Sequence, residues 1–281
     1  MVAFDYLIVG HVTRDLVEGT FAIGGTVSYA ARTARALGCR VGVVTSAGPD
    51  LDLGHILDGI EVFCLPAAAT TTFENVYTEA GRRQVLHSVA EPLTSEVVPA
   101  HWQAALVHLG PVAQECAPEL VYGWGDGFVG VTPQGWMRRW NPAGCVRGGP
   151  WEHADRVLSR ADAVVLSAED LDGDGKLLAR YADQARLLVV TQGERGCTLY
   201  VRGQAHHVPA PKVHQVDPTG AGDVFAAAFF VSLYRCGDPT EAARFANCIA
   251  AGSVTRPGLA GTPTPEEVFR CGEARRNGSK T

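Results

Sequence analysis

Short apolar segments recur along this chain of 281 residues and alternate with segments that have helical spacing. The predicted strands lie at residues 4–10, 41–45, 105–109, 128–131, 163–166 and 186–191. A strand that is apolar throughout is covered on both faces, which is typical of a parallel sheet with right-handed crossovers. The alternation therefore predicts an α/β fold built on a mostly parallel sheet.

Composition limits the number of domains and the kinds of partner. The chain is 46% hydrophobic and 19% charged, which is enough apolar content for the large core of one α/β domain. The net charge is −6 and lysines and arginines form no run, so we expect neither a nucleic acid nor a membrane as a partner. Without a signal-like segment or a bilayer-spanning apolar run, the expected location is the cytoplasm.

The eight cysteines are dispersed along the chain. None forms a Cys-x-x-Cys pair, which would indicate zinc or a redox dithiol. In a reducing compartment, we expect all of them to be buried free thiols.

Two segments interrupt the alternation of strands and helices. Residues 70–77 and 82–89 have the character of two strands joined by Glu79-Ala80-Gly81, which predicts a hairpin. Residues 11–23 are mixed in character and are expected to be irregular. Facing each other, these parts of the chain would form a small β-sheet that projects from the main sheet as a lid, with lid segments at about 11–23 and 69–89.

A glycine-rich motif with an acid at each end stands at residues 217–223, directly before the apolar helical run 224–233. The backbone N–H groups of Gly220, Ala221 and Gly222 can converge on an anion at the start of that helix. Asp223 follows in the first turn, where a carboxylate can take a proton from a neighbouring hydroxyl. This arrangement is typical of a kinase.

Other phosphate-binding motifs fit the sequence less well. A dinucleotide fingerprint would need a third glycine where Phe225 stands, and the motif lies late in the chain. A Walker loop is excluded because none of Lys176, Lys212 and Lys280 follows a glycine and precedes Ser or Thr. A purely structural tight turn would explain the glycines but not the two acids.

The motif at 217–223 resembles the C-terminal signature of the PfkB (ribokinase-like) carbohydrate kinases. Other features fall in the family's order: Asp15, the pair Gly24-Gly25, the turn at 191–196 and the helix that carries Asn247. The resemblance implies one kinase domain over 1–270, and the polar residues 271–281 are expected to form a flexible tail. It also implies a three-layer αβα sandwich with a central mainly parallel sheet, a small β-lid, and use of ATP and Mg²⁺.

The resemblance assigns roles on the donor side of the site. Asp223 would be the catalytic base, and the amides of Gly220, Ala221 and Gly222 would form the anion hole. The residues expected to bind the nucleotide are Thr191, Gly193, Thr219 and Asn247. For Asn247, hydrogen bonding between helices is an equally good interpretation without the resemblance.

On the acceptor side, Asp15 and Gly25 match positions that hold the acceptor's hydroxyls in the family. Arg83 on the hairpin is a further candidate, although exposed arginines are usually only solvated. Residues Gln134, Trp136 and Arg138 are weaker candidates for the same surface. A tryptophan is more often part of the core, and an aspartate near a strand end more often caps a turn.

Two departures from the family pattern affect the expected site. Ser167-Ala168-Glu169-Asp170 replaces the usual Asn-x-x-Glu, so Glu169 and Asp170 are the expected acids for the metal. The alternative is that both acids only favour the start of a helix. Tyr29 stands where sugar-binding members have an asparagine, which removes a contact typical of ribokinases.

Three segments are most similar to myo-inositol kinases: Ser167-Ala168-Glu169-Asp170, the lead-in Val216-Asp217-Pro218-Thr219 and the turn Gly193-Glu194-Arg195-Gly196-Cys197. The expected function is therefore transfer of the γ-phosphate of ATP to a small polyhydroxylated acceptor, with myo-inositol as the best single candidate. Ribose-type sugars, other sugars and nucleosides remain open as acceptors. A sugar-binding regulator without catalysis is an alternative of another class, and the protein is expected to be a monomer or a homodimer.

Overall fold

The computed structural model describes residues 2–17, 20–78 and 81–278, with side chains described outside 77–82 and 274–278. The strands in chain order are β1 (Val2–Val9), β2 (Thr13–Val17), β3 (Thr20–Gly24), β4 (Val41–Ala47), β5 (Glu61–Pro66), β6 (Thr72–Thr78), β7 (Gly81–Ser88), β8 (Trp102–Leu109), β9 (Phe128–Val131), β10 (Arg138–Trp140), β11 (Val146–Gly148), β12 (Ala163–Ser167), β13 (Leu187–Thr191), β14 (Cys197–Val201) and β15 (Gln204–Val208). The helices are α1 (Thr26–Ala36), α2 (Leu53–Ile56), α3 (Ala154–Arg160), α4 (Gly175–Gln184), α5 (Ala221–Cys236), α6 (Pro239–Ser253) and α7 (Pro265–Gly278).

Within the described residues, nine strands form the main sheet in the order β15-β14-β13-β12-β9-β8-β1-β4-β5. All neighbouring pairs from β13 to β5 are parallel, and only β14 and β15 are antiparallel additions at one edge. One apolar core lies between the sheet and helices α1, α5 and α6, and a second lies on the opposite face beneath α3 and α4. The predicted α/β sandwich with a mainly parallel sheet is confirmed.

Helix α5 is apolar around most of its circumference and lies in the first core, where residues 224–233 are all buried. Phe230 packs edge-on against His108, with ring centroids 5.0 Å apart. Burial lowers the pKa of His108 to about 3, so this imidazole is neutral. Its two nitrogens bind the Tyr6 and Thr132 hydroxyls at 2.6 and 2.9 Å. The helix that follows the glycine-rich motif is thus firmly packed on the sheet.

A second sheet has the order β3-β2-β6-β7. It consists of two antiparallel hairpins joined by the parallel pair β2 and β6. Residues 11–23, expected to be irregular, instead contribute β2 and β3. The two strands pair with each other, and β2 also pairs with β6 from a distant part of the chain, which satisfies its backbone groups on both sides. Residues 79 and 80 of the predicted hairpin turn lie outside the described residues.

A buried histidine fixes the connections between the two sheets. His11 lies between β1 and β2, and its ring nitrogens bind the Thr71 hydroxyl at 2.7 Å and the Glu91 carbonyl at 2.9 Å. The Thr71 hydroxyl oxygen also accepts a hydrogen bond from the Ala90 N–H at 2.9 Å. Three segments of the chain, at residues 11, 71 and 90–91, are therefore joined by one cluster of hydrogen bonds.

Three further segments differ from the expectations. The alternation of strands and helices predicts a helix near 115–122, between β8 and β9, but the chain forms only a 3₁₀ turn over Pro118–Val121. Glu115 is buried instead, and its carboxylate accepts backbone N–H groups from the loop around it, including Ala113 at 2.7 Å. Strands β10 and β11 form an additional hairpin, and α7 continues through residues 271–278, where a flexible tail was expected.

The expectation that all eight cysteines are buried free thiols is wrong. Cys248 and Cys271 form a disulfide, because α6 and α7 pack together and bring their Cα atoms to 5.9 Å. Cys116 and Cys197 are buried thiols, while four others are partly exposed. In the part of the chain that the structure describes, no helix is long and apolar enough to cross a membrane.

The packing of α5 on the sheet gives a test of stability. A Cβ at Gly130 in β9 would lie 2.6 to 2.8 Å from ring atoms of the buried Phe230. We expect Gly130→Ala to lower the free energy of unfolding in urea by about 1–3 kcal/mol. Gly252→Ala on α6 is the matched control, since its Cβ meets nothing within 4 Å, and it should raise stability by about 0.5–1 kcal/mol. Equal unfolding midpoints for the two variants would contradict this packing.

Candidate active site

The glycine-rich motif forms the turn that begins α5. Gly220 is the N-cap residue with φ 76°, a left-handed conformation that favours glycine. The Val224 N–H closes the first helical turn on the Gly220 carbonyl at 2.9 Å. The Ala221 N–H donates to the Pro218 carbonyl at 3.1 Å, so one of the three predicted anion-binding amides has a partner within the turn. The anion hole itself stays a prediction.

Asp217 holds the front of this turn in place. Its Oδ1 accepts the Thr219 N–H at 2.9 Å, and its Oδ2 accepts the Gly258 N–H at 2.8 Å. Partial burial alone would raise the pKa of Asp217, but the hydrogen bonds from Thr219 and Gly258 outweigh it and lower that pKa. Asp217, the first acid of the motif, is therefore ionised and holds the backbone of the turn in place through hydrogen bonds.

Asp223 lies in the first turn of α5 and is half-buried. Burial raises the pKa of Asp223 to about 6, against a lowering by the Thr26 hydrogen bond and the charge of Arg138. The negative charges of Asp15 and Asp170 raise it further. The fold thus gathers three acids that the sequence analysis assigned to different subsites, and it gives Asp223 a pKa suited to a general base.

Thr26 and Arg138 complete the surroundings of Asp223. Thr26 is the first residue of α1 and is only 4% exposed. The Arg138 guanidinium donates to the Val112 carbonyl at 2.9 Å and to Gln134 Oε1 at 2.8 Å, and it lies 5.2 Å from the ring centroid of Phe73 in β6. Arg138 therefore connects the small sheet with the acids. Sequence reasoning missed Thr26, whose one available signal was its place after the two glycines.

Trp136, a weak candidate for the acceptor surface, lies in the core. It is 5% exposed, and its ring stacks on Trp151 with centroids 5.8 Å apart. Its indole N–H donates to the Cys116 carbonyl at 2.7 Å. The alternative interpretation of this tryptophan as a core residue describes it better.

The predicted acceptor side lies where β2, β3 and α1 meet. Asp15 in β2 accepts a hydrogen bond from the Thr13 hydroxyl at 3.2 Å. A Cβ at Gly24 would lie 2.4 Å from Asp15 Oδ2, and one at Gly25 would lie 2.4 Å from the His11 carbonyl oxygen. The two glycines thus allow α1 to start directly beside Asp15.

The remaining predicted acceptor residue, Arg83, is on β7 at the edge of the small sheet, and its side chain is exposed. This position does not by itself distinguish an acceptor contact from a solvated arginine. Its role stays a prediction.

The predicted nucleotide residues follow β13 and lie on α6. The Thr191 hydroxyl donates to the Leu166 carbonyl at 3.4 Å, and the exposed Gly193 begins a 3₁₀ turn with φ 59°. Asn247 is 4% exposed, and its amide donates to the Val208 carbonyl at 2.9 Å. That contact joins α6 to the end of β15, so Asn247 supports the structure whether or not it also meets a nucleotide.

The predicted metal acids follow β12 in a short 3₁₀ turn. Asp170 Oδ2 accepts the Ser167 N–H at 2.9 Å, while the Ser167 hydroxyl accepts the Glu169 N–H at 3.2 Å. This reciprocal cap is the alternative that the sequence offered for Asp170. Burial raises the pKa of Asp170, although the hydrogen bonds from Ser167 and Gln134 oppose it.

Glu169 is exposed beside this cap. No group of three or more His, Cys, Asp or Glu residues among the described residues could hold a metal ion by itself. A Mg²⁺ ion that arrives on a polyphosphate needs only one or two carboxylates from the protein. The donor chemistry of Glu169 and Asp170 fits that type of site.

Comparisons with known proteins find similarity to carbohydrate and nucleoside kinases. A family model described as pfkB family carbohydrate kinase matches residues 157–267. Probable fructokinase-5 of Arabidopsis thaliana is 37% identical over 127 residues, covering 42% of this chain and 39% of that protein. The chain thus matches about two fifths of the length of this relative. Cytidine kinase of Thermococcus kodakarensis is 28% identical over 269 residues, covering 84% of this chain and 91% of that protein.

Solved structures share the fold over nearly the whole chain. A pyrophosphate-dependent kinase in the ribokinase family, complexed with a pyrophosphate analog and myo-inositol, has a TM-score of 0.80 at 24% identity, covering 95% of this chain and 99% of that chain. Arabidopsis thaliana ribokinase complexed with ribose and ATP has a TM-score of 0.71 at 17% identity, covering 96% and 99%. With the motif, the family match over residues 157–267 and the shared fold in agreement, the chain has the ribokinase-like fold and is similar to the PfkB carbohydrate kinases.

Proposed function

We propose that this protein transfers the γ-phosphoryl group of ATP to a hydroxyl group of a small polyhydroxylated acceptor. The observation that carries the proposal is the position of the Asp223 carboxylate in the first turn of α5, directly after Gly220 and Gly222. A base and the positive end of a helix dipole are thereby adjacent. The match of residues 157–267 to the pfkB carbohydrate kinase model supports the same reaction class.

In this reaction Asp223 accepts the proton of the acceptor hydroxyl as its oxygen attacks the γ-phosphorus. The bond from the γ-phosphorus to the bridging oxygen breaks, and ADP leaves with that oxygen. With a pKa of about 6, Asp223 is mostly ionised at neutral pH and is ready to accept the proton. The N–H groups and dipole at the start of α5 stabilise the charge on the transferred group without reorganisation.

Magnesium, when bound, would supply positive charge to the phosphate oxygens of ATP. Glu169 is exposed at the end of β12 and would hold the ion together with Asp170. The cap from the Ser167 N–H fixes the Asp170 carboxylate in its orientation. The departure from the family's Asn-x-x-Glu thus leaves two acids at this edge of the sheet.

For the acceptor we propose a neutral polyol, with myo-inositol as the best single candidate. Asp15 and Asp170 lie near enough to Asp223 for their charges to act on it. Such a group of acids repels an anionic acceptor, for example a sugar acid or a sugar phosphate, but accepts hydrogen bonds from hydroxyl groups. The similarity of 167–170 and of the turn at 193–197 to myo-inositol kinases favours the cyclitol within this class.

A nucleoside acceptor is the second candidate. The alignment with the cytidine kinase covers 84% of this chain, whereas the family match begins only at residue 157. An alignment of that length must reach β6 and β7 of the small sheet, on the predicted acceptor side. The fructokinase matches cover about two fifths of the chain and carry less information about that side.

The test is a panel of acceptors with ATP and Mg²⁺, in which release of ADP is followed and the product is identified by ³¹P NMR. The panel contains myo-inositol, fructose, ribose and cytidine, and pyrophosphate replaces ATP in a second series because a structural relative is named for it. Turnover with myo-inositol supports the first candidate, and turnover with cytidine supports the second. No acceptor-dependent turnover with either donor would overturn the kinase proposal.

Replacing the base gives the first kinetic prediction. We expect Asp223→Asn to lower kcat by roughly 100-fold or more, because an amide cannot accept the hydroxyl proton. Nucleotide affinity, measured by calorimetry, should be retained. Asp183→Asn, at an exposed position on α4, is the matched control and should leave kcat unchanged. Equal turnover by Asp223→Asn and the wild type would exclude Asp223 as the base.

The pH profile gives a second prediction. Since only ionised Asp223 can accept the proton, kcat should fall as the pH falls through about 6. Thr26→Val removes the hydrogen bond that favours the ionised form, so this acid limb should move to higher pH. Thr33→Val, at a buried site on the same helix, should leave the limb in place. An acid limb that is identical in all three proteins would contradict the assignment.

The role of Asn247 can be separated into structural and nucleotide contributions. Asn247→Ala removes the donor to the buried Val208 carbonyl, which should cost about 1–3 kcal/mol in the free energy of unfolding. ATP affinity at a temperature where the variant is folded then reports any direct contact. Loss of ATP affinity without loss of stability would show that Asn247 contributes more to nucleotide binding than to the packing of α6 against β15.

A further inference from the structure

The ring of Tyr29 lies directly beneath the glycine-rich turn. Tyr29 is on α1 and is 2% exposed. A Cβ at Gly220 would fall 2.2 Å from Tyr29 Cδ1 and 2.3 Å from Cε1, so the ring touches the backbone of Gly220 itself. The residue that gives α5 its left-handed N-cap therefore rests on an aromatic side chain from another helix.

The turn is held from a second side at the same place. A Cβ at Gly258 would lie 4.0 Å from the Tyr29 hydroxyl oxygen. The Gly258 N–H donates to Asp217 Oδ2 at 2.8 Å. Gly220 thus meets the Tyr29 ring, and Asp217 is bonded to the segment around Gly258, which the Tyr29 hydroxyl also approaches.

The charge of Tyr29 is constant under working conditions. Burial and the negative charges of Asp223, Asp217 and Asp15 raise the pKa of Tyr29 well above its usual range. The phenol therefore stays neutral wherever the acids around it are ionised. Its contact with Gly220 is a packing contact that does not change with pH.

We propose that Tyr29 is a positioning residue for the phosphoryl transfer described above, on which this inference rests. The ring keeps Gly220 in its left-handed conformation and so fixes the direction of the N–H groups at the start of α5 relative to Asp223. Gly220 and Gly222 have no side chains with which to anchor the turn, so its rigidity comes from a neighbour. The neighbour is on α1, the same helix that supplies Thr26 to Asp223.

The expected effect lies in turnover and in binding of the donor phosphates rather than in binding of the acceptor. A displacement of about 1 Å in a reacting geometry can cost on the order of 100-fold in rate. Without the ring, the turn still has its sequence and Asp223 still titrates, but the donor groups lose their fixed direction. The loss should therefore appear in kcat, while the KM of the acceptor changes little.

The experiment compares Tyr29→Leu, which removes the ring, with Tyr29→Phe, which keeps it. We expect Tyr29→Leu to lower kcat by about 10- to 100-fold with an acceptor KM within about threefold of wild type, and Tyr29→Phe to stay within about threefold in both. Tyr181→Leu is the matched control, because Tyr181 is an equally buried tyrosine on α4 in the opposite core. It should lose stability but keep its kcat per folded molecule.

A second readout does not require turnover. The rise in Tm that Mg²⁺ and ATP produce should be smaller for Tyr29→Leu than for wild type, Tyr29→Phe and Tyr181→Leu. The inference is overturned if Tyr29→Leu keeps the kcat and the Tm shift of the wild type. It is also overturned if Tyr29→Phe loses as much as Tyr29→Leu, because the effect then belongs to the hydroxyl and not to the ring. If Tyr29→Leu does not fold, Tyr29→Met takes its place with the same expected results.

This second readout also separates the two proposals. A wild type that transfers no phosphoryl group to any acceptor overturns the kinase proposal. A Tm shift that is present in that wild type and reduced in Tyr29→Leu would still support the positioning role of Tyr29. A wild-type Tm shift that Tyr29→Leu retains would overturn the positioning role as well.

Discussion

Burial of α5 between the main sheet and helices α1 and α6 is the constraint on which the other features depend. Its residues from Val224 to Leu233 are all buried, and complete burial of one phenylalanine side chain contributes about 1.5–3 kcal/mol. Such a helix cannot rotate or slide without opening the core. Its first turn, with Gly220 and Asp223, is therefore fixed relative to the sheet, and the candidate site forms around a point that the core determines.

The parallel arrangement of the strands brings the other groups to that point. The carboxyl ends of parallel strands lie at one edge of a sheet, and ligands in open α/β sheets bind there. Asp170 lies in the 3₁₀ turn that follows β12, and Thr191 ends β13. Asp15 comes from the small sheet and Arg138 from the hairpin that follows β9. Each element contributes one or two groups, and none of them holds a site alone.

The sequence predicted those parts of the molecule in which local pattern and final environment agree. Apolar strands and the motif at 217–223 are of this kind, since their chemistry is visible in consecutive residues. The hairpin of β2 and β3 is not predicted because β2 depends on a second partner, β6, from a distant part of the chain. The disulfide between Cys248 and Cys271 depends in the same way on how α6 packs against α7.

The same distinction applies to the site. Asp223 could be found from its position after two glycines, but no pattern marks a threonine or a tyrosine on a helix as its neighbour. Thr26 and Tyr29 act through packing between α1 and α5, which exists only in the folded chain. Asn247 shows the converse, because a residue chosen from a family pattern also has a buried structural partner in Val208.

The topology of the small sheet has a consequence for the order in which the molecule assembles. Its central pair, β2 and β6, is parallel and joins two pieces of chain that are separated by α1, β4 and β5. Contacts between distant parts of a chain form slowly, because the entropy of closing the intervening loop is lost first. Pairing of β1, β4 and β5 shortens that search, and the link from His11 to Thr71 then joins the two pieces. The small sheet is thus expected to be the last region to fold and among the first to exchange its amide hydrogens with solvent.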